Sequence, residues 1–569
     1  MKLTFDTLQE CLSSFEFIDS DGEVDRKACV IFKNIRSFNK WNVTPLTSLN
    51  ILTGPNSSGK STLATIISNL RKRKFKTYIQ SMADSSKGSA FVGISIDWEN
   101  YIKRSDDPEF FTTSVSYMLL TSIIDKFHDP KNRSPDIRGK FKRFTVIAES
   151  KGEEWNLDLY AFIDSELVGF MTVDGDQGTG SNDEIYFKIS NNFWNKIFSD
   201  KFSDYINSEL SNTPTYKKIK DLHKLNKTIT GRQRIDSPGY FLDIIDYNNF
   251  NLDNGPNIKF GESVNCIEEI SYALVCLNIL FFKPFNMIEK YSGDMLPSLR
   301  PVSSASDLQY KFEIGWKDIN SVGYLKDISN NGASSFRNLA REIVNEKLKL
   351  LTFKSGRQNL KEINYWLKEI LNDSHGLAYR YNSVDLNDKK HLWANITKWR
   401  GSFIKNMFVE FFLLDKKKNE LGFGDVGNGI SQVLPVISSI INAEHLVFLQ
   451  PELHLHPKAQ AVLGDLFIFS LQKHKDINAR HSGVPISKVT VETHSEHLIL
   501  RLLRRIKENR DTASNKTFSN KDLSLIYVDS LRSGSEIHYI RADESGDFID
   551  VWPNGFFEDR YEDIFFTDK

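Results

Sequence analysis

Two stretches of this chain read as buried strand, turn and helix in close succession. In the first, Ile31, Phe32, Ile35 and Phe38 mark an early strand and turn, and Leu49 to Leu52 form a short apolar run that stops at Gly54. From Lys60 the apolar residues fall at Leu63, Ile66, Ile67 and Leu70, the spacing of a helix that buries one face. The second stretch lies near the C-terminus. There a helical run covers Val433 to Ile441 and a short apolar run covers His445 to Phe448. Val489 to Val491 predicts another buried strand, ending in Glu492-Thr493-His494.

Between these stretches, from about residue 100 to 410, strand-like and helical patterns mix. WNLDLYAFI, ELVGFMTV and IYFKIS predict a β meander, whereas ISYALVCLNILFF and SSFRNLAREIVNEKLKLL predict helices. Asp174, Asp176, Asp183 and Glu184 lie in a polar segment whose spacing fails the EF-hand template, so a solvated hairpin turn is expected. YKKIKDLHKLNKTITGRQR gathers Lys217, Lys218, Lys220, Lys224, Lys227, Arg232 and Arg234. Its default reading is a solvated helix face, and contact with nucleic acid or an acidic partner is the alternative. Neither a long heptad run nor an internal repeat appears.

Composition narrows the class. A chain of 569 residues exceeds what one core usually fills, which predicts two or three domains. Its 73 basic and 74 acidic residues nearly cancel, which argues against a globally basic coat for nucleic acid. No apolar run reaches the roughly 18 to 20 residues of a membrane span. The N-terminal MKLTFDTLQECLSSFEF has acids where a signal peptide has an apolar stretch. Cys11, Cys29, Cys266 and Cys276 form no CxxC pair, which predicts reduced thiols in a cytoplasmic protein.

The first stretch holds a complete GxxxxGK[ST] match, Gly54-Pro55-Asn56-Ser57-Ser58-Gly59-Lys60-Ser61, followed by Thr62. The glycines let backbone N–H groups turn toward phosphate, and the start of the helix adds the positive end of its dipole. In such a loop the Lys60 ammonium reaches the β- and γ-phosphates and the Ser61 hydroxyl ligates Mg²⁺. Strand, glycine-rich loop and helix in that order predict a site for ATP with Mg²⁺.

The second stretch adds VGNGIS, in which Gly427, Gly429 and Ser431 precede the helical run and predict a second anion-binding helix start. PELHLHP and ETHSEH follow. His454 and His456, spaced i,i+2 on a segment read as extended, would point to opposite faces and suit shared metal ligation poorly.

In order and spacing these motifs resemble the ABC-type ATPases of the OLD/RecF-like group. The phosphate loop corresponds to Walker A, and Gly427, Gly429, Ser431 and Gln432 to a degenerate signature. PELHLHP corresponds to the Walker B/D-loop region and His494 to the switch histidine. The tail resembles a subfamily with a C-terminal WP-GFF element, here Trp552, Pro553, Gly555, Phe556 and Phe557. That subfamily includes PtuA-like ATPases of Septu and retron anti-phage systems. In the middle of the chain only Leu299-Arg300-Pro301 carries the resemblance.

The resemblance implies an α/β fold: an ABC-type P-loop head with a mixed or parallel sheet, split by a large, mostly helical insertion. The head would comprise residues 1–100 and 411–531, the insertion 101–410 and the terminal element 532–569. It implies that His494 senses the γ-phosphate, that Ser431 completes the site of a second chain, and that His454 and His456 structure a loop crossing the dimer interface. The pattern departs from the family at the end of the Walker B strand, where an acid usually precedes the glutamine. Gln450 fits, but Leu449 holds the place of the acid. Glu452 is then a candidate to reach Mg²⁺ through water, and Gln450 a candidate to orient the attacking water, as a glutamine does in small GTPases. Loss of a positioned general base costs about 10²- to 10⁴-fold in rate, which predicts slow turnover.

The functional expectation is an ATPase that dimerises around nucleotide and gates a separate nuclease or toxin in anti-phage defence, with a retron reverse transcriptase–DNA complex as a possible partner. A Toprim nuclease domain needs roughly 150 residues or more, and about 70 follow the switch histidine. The alternative is a RecF-like repair or recombination ATPase that binds DNA directly, with the insertion as the candidate surface for nucleic acid. A transporter ATPase fits poorly, given the size of the insertion.

Overall fold

The computed structural model describes residues 1–13, 17–18, 24–25, 28–71, 88–97, 143–150, 157–163, 165–174, 183–189, 229–233, 257–260, 295–298, 309–318, 321–327, 336–347, 355–372, 375–382, 403–422, 426–442, 447–478, 489–511 and 518–553. They fall into two compact units, one drawn from Met1–Lys290, Lys475–Lys488 and Ser519–Lys569, the other from Tyr291–His474 and Val489–Phe518. The boundary at Lys290 falls inside the span 101–410.

The first unit opens with β1 (Thr4–Phe5), α1 (Leu8–Ser13) and a small hairpin of β2 (Phe17–Ile18) and β3 (Val24–Asp25). Then come β4 (Ala28–Lys33), β5 (Trp41–Leu46), β6 (Leu49–Thr53) and helix α2 (Lys60–Arg71). The chain continues through β7 (Ala90–Asp97), β8 (Arg143–Ser150), β9 (Leu157–Ile163), β10 (Glu166–Asp174), β11 (Asp183–Ile189), β12 (Ile229–Gln233) and β13 (Asn257–Phe260). Ten of these strands make one antiparallel sheet in the order β1-β5-β4-β7-β8-β9-β10-β11-β12-β13.

The meander expected from WNLDLYAFI to IYFKIS is present as β9, β10 and β11. Asp174 stands opposite Glu184 across the β10–β11 pair, as a hairpin requires, and the turn residues 175–182 lie outside the described set. Arg232 sits on strand β12, paired with Asn257, and not on the solvated helix face expected of its basic stretch. A four-residue register with β13 outweighs the helical look of the preceding lysines. Those lysines and Arg234 lie outside the described residues, as do ISYALVCLNILFF, Leu299-Arg300-Pro301, Cys266 and Cys276. Cys11 and Cys29 are buried.

The second unit contains β14 (Met295–Leu296), β15 (Gln309–Asp318), β16 (Ser321–Asp327), α3 (Arg337–Lys347), α4 (Ser355–Leu371), β17 (Gly376–Asn382), β18 (Phe403–Leu414) and β19 (Glu420–Leu421). They are followed by α5 (Asn428–Ile441), β20 (Val447–Leu449), α6 (Pro457–Asn478), β21 (Val489–Glu492) and α7 (Glu496–Asp511). β16, β15, β18 and β17 form an antiparallel sheet, and β14, β20 and β21 run parallel side by side. Helix α3, expected from SSFRNLAREIVNEKLKLL, buries Leu339, Ala340, Ile343 and Val344 at helical spacing. α4 packs against both α3 and α5. Asn359 on α4 donates to Glu342 on α3 at 2.7 Å and accepts from Lys473 on α6 at 2.9 Å, so polar bonds fix three helices around one point.

The chain then returns to the first unit with β22 (Leu523–Leu531) and β23 (Gly534–Ile540). β22 runs parallel to β6 with Leu52 opposite Ile526, and β23 folds back antiparallel on β22. Parallel and antiparallel strands with helices make the fold mixed α/β. Among the described residues no helix is long and apolar enough to cross a membrane.

Candidate functional site

The phosphate loop leaves β6 and enters α2, as the sequence implied. β6 is buried along its whole length, and α2 buries Leu63, Ile66, Ile67 and Leu70, so both flanks of the loop are fixed by apolar packing. The loop itself takes left-handed backbone at Gly54 (φ 135°), Ser57 (φ 61°) and Gly59 (φ 107°). At Gly54 the backbone lies so close to β22 that a Cβ would run into the Val528 carbonyl. Glycine is required there both by conformation and by space. At Gly59 a Cβ would meet the Phe38 ring, itself fully buried and edge-on to Phe32 at 4.9 Å.

Lys60 is 4% exposed, and its ammonium donates to the carbonyl of Gly54 at 3.0 Å and to that of Pro55. The cation thus arches over the loop, where an arriving phosphate can exchange for the carbonyls. Pro55, Asn56, Ser57 and Ser61 are exposed, whereas Ser58 and Thr62 are buried. The Ser535 hydroxyl on β23 donates to the Ser58 carbonyl at 2.5 Å and lies 2.7 Å from the Ser37 hydroxyl. Val528, Phe38 and Ser535 therefore support the loop from outside the motif; the apolar pattern marked Phe38, and no sequence pattern identified Val528 or Ser535.

The signature residues stand in the second unit. α5 begins at Asn428, five residues before the helical run expected at Val433, so Gly429 and Ser431 belong to its first turns. Glycines at this helix start masked it in the apolar pattern. Gly427 and Asn428 are exposed, and open space surrounds the Cβ direction of Gly427. Ser431 is buried, and its hydroxyl donates to the Asn428 carbonyl at 3.0 Å. A Cβ at Gly429 would lie 3.8 Å from the His454 carbonyl oxygen and 3.7 Å from Leu455 Cδ2, which brings the signature against the PELHLHP loop.

That loop leaves β20 at Leu449. Gln450 takes φ 44° and its N–H donates to the Glu492 carbonyl at 2.7 Å. Residues 451–454 then form a turn with His454 at φ 63°, and His456 stands at the start of α6 with Nδ1 accepting from the Lys458 N–H at 3.3 Å. The segment is a turn and a helix start, not the extended run on which opposite faces were argued for the two histidines. Both histidines are exposed, and among the described residues no group of three His, Cys, Asp or Glu is arranged to hold a metal.

Glu452 is buried, and its Oε1 accepts from the His494 N–H at 2.8 Å. One residue on, the Ser495 hydroxyl donates to Gln460 Oε1 at 2.7 Å and accepts from the Leu498 N–H at 3.1 Å, capping α7. Gln460 Nε2 in turn donates to the Leu455 carbonyl at 2.9 Å. The 451–456 loop and the 493–495 segment are thereby tied at two points. Within this unit the structure brings together Gly429, the 450–456 loop, Glu452 and His494.

The donor set of the phosphate loop fits a nucleotide with Mg²⁺. Mg²⁺ is usually held by substrate phosphates and one or two protein oxygens, and the exposed Ser61 hydroxyl at the first turn of α2 is such an oxygen.

A comparison with curated protein sequences finds no match. Among solved structures the chain is similar to the SMC head domain from Thermotoga maritima, with 9% identity over 91% of this chain and 100% of that one and a TM-score of 0.31. It is also similar to the Pyrococcus furiosus Smc head domain with an extended coiled coil, bound to the C-terminal domain of ScpA. There the identity is 10%, the coverage 90% of this chain and 96% of that one, and the TM-score 0.35. Residues 29–499 match the AAA_15 family, described as an AAA ATPase domain, over most of the chain, and the protein belongs to that family.

Proposed function

We propose that the chain is a slow, nucleotide-gated ATPase of the cytoplasm that binds ATP with Mg²⁺ through Gly54 to Thr62. In this reading it closes as a dimer around the nucleotide and controls a separate nuclease or toxin in anti-phage defence. The observation that carries the nucleotide part is the phosphate loop. A buried Lys60 ammonium arches over a loop that takes left-handed backbone at three positions, between an apolar strand and an apolar helix.

In this reading Lys60 leaves the Gly54 and Pro55 carbonyls for the phosphate oxygens, and Ser61 offers its hydroxyl to Mg²⁺, which neutralises charge on the phosphates when bound. Gln450 orients water without taking its proton. His494, whose backbone Glu452 holds, has the role of γ-phosphate sensor that the resemblance implies. Gly427 and Asn428, exposed at the start of α5, present the signature to a second chain. Turnover is slow because no carboxylate stands at Leu449 or Gln450, next to the attacking water. The defence role rests on the likeness of the WP-GFF tail and the PELHLHP and ETHSEH motifs to PtuA-like ATPases.

The test is recovery of the chain from its native cells with and without ATP, alongside Lys60→Ala. A nuclease or toxin that co-elutes in a nucleotide-dependent way, and whose dependence Lys60→Ala removes, is the expected result. Recovery on DNA with no protein partner would overturn the effector reading.

A further inference from the structure

The antiparallel sheet of β16, β15, β18 and β17 buries one face and leaves rings and cations on the other. Side chains alternate along a strand, and Val409, Phe411 and Leu413 of β18 are buried on the side where α3 and α4 pack. The residues between them turn the other way: Phe408 is 44% exposed, and Glu410 and Phe412 are half-buried. The registers put Gln309 of β15 and Arg380 of β17 on either side of Glu410, and Lys311 of β15 beside Phe408, all on this face. Each ring carries a cation. The Lys311 ammonium lies 5.3 Å from the centre of the Phe408 ring, and the Arg380 guanidinium 5.2 Å from that of Phe412. Glu410 and Glu420 pair with Arg380 at 2.6 and 3.1 Å and hold the guanidinium on the sheet. β18 then runs into a hairpin tip in which Lys416, Lys417 and Lys418 are exposed. Asp415 Oδ1 accepts the N–H groups of Lys417 and Asn419 at 2.7 and 2.8 Å, so the acid of the tip braces the turn that carries three consecutive ammonium groups.

We propose that this face and the lysine tip bind a single strand of nucleic acid, with Phe408 stacking on a base and Lys416 to Lys418 taking phosphates. Exposed rings interleaved with cations suit an unpaired strand, because every base offers a stacking face that a duplex hides. An acidic protein segment would use the lysines and gain nothing from the open ring. The inference is independent of the nucleotide reading, since none of these residues belongs to the phosphate loop or the signature.

The test is fluorescence anisotropy of labelled oligo-dT and oligo-U strands of about 16 nucleotides with the full-length protein, without ATP and over a range of salt. The wild type is expected to bind one or both strands more tightly than a duplex of the same length. Phe408→Ala should lower the affinity by about 5- to 100-fold and Phe408→Tyr should keep it, since either ring stacks. Lys416→Ala, Lys417→Ala and Lys418→Ala combined should reduce the slope of log affinity against log salt by about 2, the share of three phosphates on a single strand. These positions are exposed, so thermal unfolding should stay near the wild-type temperature. Lys60→Ala, measured alongside, should bind the strand as the wild type does, and loss of binding there would put the strand at the phosphate loop and overturn the inference. So would failure to bind either strand, wild-type affinity in Phe408→Ala, or a duplex bound as tightly as the single strand. A poly-glutamate chain that binds as tightly as the strand, and loses nothing in Phe408→Ala, would assign the surface to an acidic protein instead.

Discussion

The Glu452 carboxylate accepts the His494 N–H at 2.8 Å, joining two loops 42 residues apart in the chain. An acid whose oxygen is bound to a backbone amide sets the position of that loop, and its charge is secondary to its shape as an acceptor. Glu452→Gln keeps an acceptor oxygen and should leave single-turnover hydrolysis within a few-fold of wild type. Glu452→Ala frees the His494 loop and should lower the rate by about 10- to 100-fold, the scale of an ångström-sized misplacement, with ATP affinity little changed. Equal damage from both variants would return Glu452 to the role of an acid.

Lys60→Ala removes the cation that spans the phosphate loop. Charge-assisted hydrogen bonds contribute roughly 1.5–3 kcal/mol, so ATP affinity should fall by about 10- to 100-fold or more. Titration calorimetry reads this directly, and wild-type affinity in the variant would show that the loop is not the phosphate site.

The two glycines Gly54 and Gly427 should respond to alanine to very different degrees. Gly54→Ala drives a Cβ into the Val528 carbonyl at φ 135° and should destabilise the protein by roughly 2–5 kcal/mol from strain and overpacking. Gly427 has φ −62° and open space, so alanine there should cost only about 0.5–1 kcal/mol, the difference between glycine and alanine at a helix N-cap. Thermal or denaturant unfolding of the pair measures the difference. A Gly54→Ala protein as stable as Gly427→Ala would mean that β22 does not press on the loop.

What the sequence disclosed was local. β6, the loop and α2 follow from apolar spacing and glycine placement within a window of about 20 residues, and β21 follows in the same way. What stayed hidden depends on pairing across the chain. Ser535 supports the Ser58 carbonyl from 477 residues away, and Glu492 lies beside Leu449 only because β20 and β21 share one register. The start of α5 at Asn428 was obscured because glycine weakens helical propensity, so the apolar run became visible only at Val433. The turn at His454 needs a left-handed backbone on a non-glycine residue, which composition does not signal.

The dimer reading has a test at the start of α5. The Ser431 hydroxyl is buried against the Asn428 carbonyl, so bulk placed at Ser431 itself would disturb the helix before it touched a partner. Gly427 is the better probe, being exposed, extended at ψ 149° and surrounded by open space. Gly427→Tyr should fold and bind ATP as a single chain with wild-type affinity, since the phosphate loop is untouched. If two chains close around nucleotide with the signature facing the partner, the added ring blocks closure. Light scattering with ATP in a hydrolysis-slow background, such as Gln450→Ala, should then show a dimer for Gly427 and a monomer for Gly427→Tyr. Ser431→Ala, which removes only the hydroxyl, should weaken ATP-driven dimerisation by about 1 kcal/mol, the usual worth of one neutral hydrogen bond. ATP-dependent dimers of equal strength from Gly427→Tyr and the unsubstituted protein would exclude closure through this helix start.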